Sequence, residues 1–295
     1  MNTFQWWLLY SGTMVMSTPS SHHAATNERV PTLFVSHGSP MMALEPGETG
    51  PVWLAYGKAV SRQYDLRGVV IMSPHWMTDG LSIMAHPSPP TWHDFGGFPE
   101  PLYAMQYPAP GSPALAQTVQ QALAMQGLEA ALDPDRPLDH GAWMPLRFLL
   151  PEARVPVIQL SLPADARPRD VYAIGAALQP LREQGVWLIG SGSMTHNLRE
   201  FFGGRPAQDA PVAPYVQSFT QWMSDVLERG DREAAWDYRE RAPEAVRAHP
   251  TDEHLLPLYF SLGAAGWGET NGSQPHYLSR EVMYRYLAMD SLAFS

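Results

Sequence analysis

The chain is predicted to fold as one α/β domain with a central, mainly parallel or mixed sheet flanked by helices. Three observations carry this. Short, β-branched apolar runs bounded by turn residues recur along the chain, as buried strands do. Segments of helical length lie between them, and such alternation favours a mainly parallel sheet. The 295 residues are 45% apolar and 16% charged, enough for a sizeable core and too little charge for a disordered chain.

In chain order, strands are expected at Thr32–Ser36, Gly68–Ser73, Leu81–Ala85, Val155–Leu162 and Val186–Gly190. Helices are expected at Gly50–Arg62 and Ser112–Met125, the second with Ser112 as N-cap and Pro113 at the first helical position. Further helices are expected at Gly141–Leu150, Asp170–Glu183, Pro214–Arg229, Arg232–Arg239 and Asp252–Leu262. The stretch Ala85–Gly111 holds seven prolines and reads as one long loop. Loops of that length inside a compact domain usually serve function. No internal repeat is visible and no composition break marks a second domain.

Residues 1–29 read as a weakly ordered leader, and residues 30–295 as the catalytic domain. The apolar stretch Met1–Met16 is shorter than the roughly 20 residues a membrane span needs. A secretory signal carries a basic residue before its apolar run, whereas the first here is Arg29. A cytoplasmic location follows as the expectation. The net charge of −10 repels phosphate backbones and anionic lipid, which argues against nucleic-acid and membrane partners. With no cysteine, the chain has no disulfide, thiolate metal site or Cys nucleophile. Any metal is left to His, Asp and Glu.

Five of the eleven histidines fall where a site would form. His37 (VSHGSP), His75 (MSPHW) and His196 (GSGSMTHN) each follow a predicted strand. His140 (DHGAW) directly precedes a helix. His254 (TDEHLLP) is expected in the first turn of another, with Thr251 as its N-cap. Ligands in open α/β sheets bind outside the carboxyl ends of the strands, so these five can meet in one crevice. Neutral imidazoles bind Zn²⁺ or Fe²⁺, and a histidine off the metal can move protons. The wide spacing leaves open which of them are ligands, and Glu253 competes with His254 as a third. His249, before Pro250, reads as solvated. His86 and His276 read as structural. Trp76, Trp92, Phe95, Phe98 and Trp143 are candidates to line an aromatic pocket. There is no GxSxG and no GxGxxG after a strand.

The ordered set HGSP, SPHW, HDFGGFP with YPAPGSP, DHG, GSGSMTHN and EHLLPL resembles the DODA-type aromatic ring-opening dioxygenases. These are the 4,5-DOPA extradiol dioxygenase-like branch of the LigB, or class III extradiol, superfamily. The resemblance covers roughly residues 31–265 and implies a LigB-like fold. It also implies one divalent non-haem metal on His37, His75 and His254, an acid/base at His196 and a second-sphere role for His140. Trp76, His93, Asp94 and Phe95 are then expected to bind substrate, with loop 92–99 covering the ring. Pro74 and the Ser193-Met194-Thr195 run depart from relatives without touching a proposed ligand.

The implied reaction is extradiol cleavage of a catechol by O₂, with Fe(II) for catalysis and Zn(II) as the metal held on purification. Two other readings of the same residues are a zinc-dependent hydrolase and a metal-binding non-enzyme. The catechol's side chain, the ring bond cleaved and the oligomeric state are not encoded in any motif.

Overall fold

A computed structural model describes residues 29–295. The expected leader, with His22 and His23, otherwise lies outside the described residues. Ten strands follow in chain order: β1 (Thr32–Ser36), β2 (Gly68–Thr78), β3 (Leu81–Met84), β4 (Ala130–Asp133), β5 (Val157–Pro163), β6 (Val186–Gly192), β7 (Pro275–Ser279), β8 (Val282–Met283), β9 (Leu287–Ala288) and β10 (Ser291–Phe294). Eight form one sheet in the order β4-β3-β5-β2-β6-β1-β10-β7, and β8 pairs with β9. The central neighbours β5-β2-β6-β1 run parallel. Antiparallel pairings of β3 with β5, and of β1 with β10 and β10 with β7, make the sheet mixed.

The four central strands are apolar and buried along nearly their whole length, as strands covered on both faces must be. One face carries the helices Pro168–Leu178, Pro214–Arg229 and Leu256–Ala265 over Phe34, Val70, Ile158 and Leu188. The other carries Thr49–Gln63 and His140–Leu149 over Leu33, Ile71, Val157 and Ile189. Helix Leu256–Ala265 is buried on every side, so no amphipathic stripe marks it. Among the described residues no helix is long and apolar enough to cross a membrane.

All five expected strands form, and four differ in their bounds, β6 running on two residues to Gly192. β2 continues past Ser73 to Thr78, with a shift of register against β5 between Met72 and Met77. Pro74 supplies no N–H to the ladder, so the strand bulges there and carries His75 on the irregular segment. β3 ends one residue early, and β5 starts at Val157 because Pro156 cannot donate at its entry. The helix expected over Asp170–Glu183 instead runs Pro168–Leu178 and tightens into a 3₁₀ segment, Gln179–Gln184. Pro180 removes the donor that would have continued it.

The expected helix over Asp252–Leu262 begins instead at Leu256, with Pro257 in its first turn. Thr251 does not cap it; its hydroxyl bonds the Glu253 carboxylate. His254 therefore sits in the turn before the helix. That turn is clamped to the end of β6, where the Ser193 amide donates to the His254 carbonyl at 2.7 Å. A Cβ on Gly192 would collide with the same carbonyl, so only glycine permits this approach.

Asp290 enters the sheet edge just before β10 and is 4% exposed. Burial pushes its carboxyl up to about 7, against a smaller opposing effect from Arg280. A carboxyl raised on folding binds a proton that the unfolded chain lacks between roughly pH 4 and 7, so its contribution to stability falls as pH rises through that window. Asp290→Asn is expected to shrink the drop in Tm between pH 5 and pH 8. An unchanged drop would place that pH dependence in other groups.

Candidate active site

The carboxyl ends of β1, β2 and β6 bring the predicted histidines together. His37 leaves β1 with its amide bonded to the Gly192 carbonyl at 2.8 Å. His75 is carried by the bulge of β2, and His140 opens helix His140–Leu149 with Asp139 as N-cap. His196 follows β6, its amide bonded to the Ala248 carbonyl at 2.8 Å. Asn197 behind it accepts from the Glu200 amide and starts helix Leu198–Gly204. Helix His140–Leu149 approaches the bulge closely because residue 141 is glycine; a Cβ there would lie 2.8 Å from the His75 ring.

Four of the five rings are anchored, or flanked, at Nδ1. The Ser191 hydroxyl donates to the Gly141 carbonyl, so toward His37 it can only accept, and His37 Nδ1 donates to it at 3.0 Å. That leaves His37 Nε2 without a proton. His140 Nδ1 and the His140 amide both meet Asp94 Oδ1 at 2.9 Å. His254 Nδ1 lies 3.0 Å from Glu253 Oε1. His75 Nδ1 lies 3.8 Å from Asp94 Oδ2, beyond direct hydrogen bonding. An oxygen holding Nδ1 fixes ring orientation and turns Nε2 into the ligand atom, the outer-sphere pattern of metal-binding histidines.

His37 Nε2 and His75 Nε2 face each other at 3.1 Å. Two imidazole nitrogens at about 2.0–2.1 Å from one tetrahedral ion lie about 3.3 Å apart, so this pair is spaced for a shared ion. The ring centroids of His37, His75 and His254 are 5.0, 5.1 and 5.5 Å apart in pairs. His140 is also close, 4.0 Å from His75 and 5.6 Å from His37. The potential ligand atoms fall into two sets, His37/His75/His140 and His196/Glu253/His254, each within 4.8 Å internally. Neither set is the expected trio, and both open on the same cavity. In the second, the His196 and His254 rings stack at 3.4 Å.

Burial, reinforced by neighbouring imidazoles, holds His37 and His254 well below the ordinary histidine range. Burial likewise lowers His75 to about 3 and His196 to about 4. Neutral rings are what a cation requires of its ligands. Glu253 is accounted for as the acceptor on His254 Nδ1. His249, expected in solvent, is fully buried, with Nε2 bonded to the Met194 carbonyl at 2.9 Å. The polar look of its flanks misled, because the neighbouring turn folds inward between Phe219 and Tyr238.

The five rings floor a cavity of about 160 Å³. Of the four residues expected to bind substrate, Phe95 lines it, and Trp76, His93 and Asp94 do not. Trp76 is buried beneath the Arg136 guanidinium. His93 Nε2 faces the Met105 carbonyl at 3.0 Å, and Asp94 stands behind His140. Phe98 joins Phe95, whereas Trp143 is held in the core by its bond to the Trp92 carbonyl. Sequence reasoning missed Leu198, Phe201, Phe202 and Leu287, which line the wall together with Gly38, Ser39 and Pro40 of the HGSP motif. The first three were legible as an i, i+3, i+4 apolar face behind the capping Asn197. A larger, open cleft of about 610 Å³ beside Trp236 contains none of the five histidines. Its charges are engaged in pairs such as Arg169–Glu233 and Arg239–Asp252.

Residues 31–285 match the family described as the catalytic LigB subunit of aromatic ring-opening dioxygenase. The chain is 40% identical over 236 residues to a 4,5-DOPA dioxygenase extradiol from Beta vulgaris, covering 80% of this chain and 87% of the relative. It is 36% identical over 244 residues to one from Escherichia coli K12, covering 81% and 86%. An uncharacterized protein from Escherichia coli K12 of known crystal structure superposes with a TM-score of 0.71 at 28% identity, over 90% of this chain and 100% of that one.

The expected trio His37/His75/His254 and the set His37/His75/His140 make opposite predictions at residues 254 and 140, and the trio predicts the following. His37→Ala, His75→Ala and His254→Ala should each lower bound metal sharply by elemental analysis. His140→Ala and Glu253→Gln should retain most of it. A metal-free His140→Ala alongside a metal-replete His254→Ala would assign the third ligand to His140.

Proposed function

The chain belongs to the family of the catalytic LigB subunit of aromatic ring-opening dioxygenases, and on that premise we propose that His37, His75 and His254 hold one divalent metal while His196 and His140 manage protons on a catechol bound beside it. The enzyme is an extradiol ring-opening dioxygenase, adding both atoms of O₂ to its substrate. A substituted catechol is the reading for this chain, in line with the relatives' name. The observation that supports a shared ion is the approach of His37 Nε2 to His75 Nε2 at 3.1 Å; His254 is taken as the third ligand from the family resemblance, and His140 is its competitor.

Fe(II) is the catalytic metal in this reading, since Zn(II) has no redox chemistry. Zn(II) fits the same imidazole donors and is expected in protein as isolated. When bound, Fe(II) brings the catechol oxygens and O₂ together and carries electron density between them. The remaining work belongs to the chain. His196 makes no ring hydrogen bond within the described residues and borders the cavity, so its nitrogens are available to a catechol hydroxyl. Burial keeps it neutral and able to accept that proton, which it returns later in the reaction. His140 holds Nδ1 toward Asp94 and offers Nε2 as a hydrogen-bond partner for substrate. Phe95 and Phe98 cover the ring and exclude water.

His196→Phe keeps ring bulk and removes both nitrogens. It is expected to hold near-normal metal and to open catechol about 10²–10⁴-fold more slowly. Metal content and rate should be read on the same sample. A metal-free variant makes His196 a ligand, and a metal-replete, fully active one moves proton transfer elsewhere.

A further inference from the structure

The histidine cavity offers a bound molecule few polar partners besides its imidazoles. Its other lining residues are four phenylalanines, two leucines, Gly38, Pro40 and Ser39. Ser39 therefore carries the one polar, non-imidazole side chain on that wall, among the described residues. Its hydroxyl oxygen accepts from the Met41 amide at 3.3 Å. Among the described residues the hydroxyl hydrogen meets no acceptor, and neither does the amide of Gly38 or of Ser39. Three neighbouring donors on the cavity wall are thus uncommitted.

The backbone holds them in place. Gly38 turns at φ 63°, in the left-handed region that glycine enters freely, and a Cβ there would lie 2.7 Å from Met289 Sδ. One residue earlier, the His37 amide is bonded to the Gly192 carbonyl, which ties the turn to β6. One residue later, Pro40 opens the 3₁₀ segment Pro40–Ala43, which Ser39 caps. Ser39 is half-buried, so its donors are partly withdrawn from water. Among the described residues no Arg or Lys lines the cavity, and the carboxylates of Asp94 and Glu253 are taken up by His140 and His254.

A divalent ion on neutral imidazoles leaves positive charge in this space, which draws in an anionic group. A carboxylate entering it gives up water and needs hydrogen-bond donors in return. The catechol oxygens are directed to the ion and to His196, which leaves Ser39 for whatever else the ring carries. We infer that Ser39 is a specificity-determining residue: its hydroxyl, backed by the Gly38 and Ser39 amides, donates to a carboxylate on the catechol's ring substituent. The inference rests on the catechol dioxygenase reading with its metal, and adds to it the group that recognises the substituent.

The test compares 3-(3,4-dihydroxyphenyl)propionate with 4-propylcatechol, matched in length, on the full chain. Calorimetric Kd is read on Zn(II)-loaded protein, where no turnover intervenes, and kcat/KM from O₂ uptake on Fe(II)-loaded protein. Ser39→Ala is expected to lower the ratio of acid to propyl affinity, and of their kcat/KM, by about 10- to 100-fold, the worth of a hydrogen bond to a charged group. Ser39→Thr keeps the hydroxyl and should restore most of both ratios. Metal content is read on every sample. An unchanged ratio in Ser39→Ala, an equal loss for both compounds, no binding of the acid to the unsubstituted protein, or loss of metal from Ser39→Ala overturns the inference. Failure of the dioxygenase reading looks different: no catechol is opened by Fe(II)-loaded protein, while calorimetry still compares the pair.

Discussion

Five imidazoles share one buried cavity, and they can do so only while they stay neutral and turn the right nitrogen inward. Two or more charged rings at centroid separations of 3.4–5.6 Å would repel one another in a poorly hydrated space. Burial keeps His37, His75, His196 and His254 neutral, while Ser191, Asp94 and Glu253 set ring orientation by holding Nδ1 of His37, His140 and His254. Much of the surrounding architecture serves those oxygens. Ser191 is delivered by β6, Asp94 by the long proline-rich loop, and Glu253 by the turn docked on Gly192.

The parallel centre of the sheet explains why distant residues meet. His37 and His196 follow neighbouring strands that run in the same direction, so they emerge at one edge. β2 reaches the same edge from the other side of β6. The bulge at Pro74 then aims His75 at His37. A regular continuation of β2 would alternate its side chains strictly between faces, with no such freedom to redirect one ring.

The central strands and the five histidines were legible because both follow local rules: apolar runs for strands, and His at strand ends or helix starts. The C-terminal strands were not, because β8, β9 and β10 are two to four residues long and take their place only from partners such as β1. The start of helix Leu256–Ala265 was misplaced because Thr251 resembles a cap while Pro257 sets the first turn. Among the pocket residues, Phe95 was anticipated, whereas His93 and Asp94 point elsewhere despite adjoining it. Which side of an irregular loop faces the cavity depends on contacts such as His93 with Met105, which carry no periodicity. Asp94 still matters to the site, as the carboxylate behind His140.

The account stands on three imidazoles sharing one ion while two others remain free for protons and substrate. A crystal of the protein loaded with Fe(II), or with Zn(II) in its place, would test this most directly through its anomalous difference map. The account predicts one peak about 2.0–2.2 Å from Nε2 of His37, His75 and His254, with His140 and His196 outside bonding distance. A peak bonded to His140 in place of His254, or to His196 and Glu253, would contradict it.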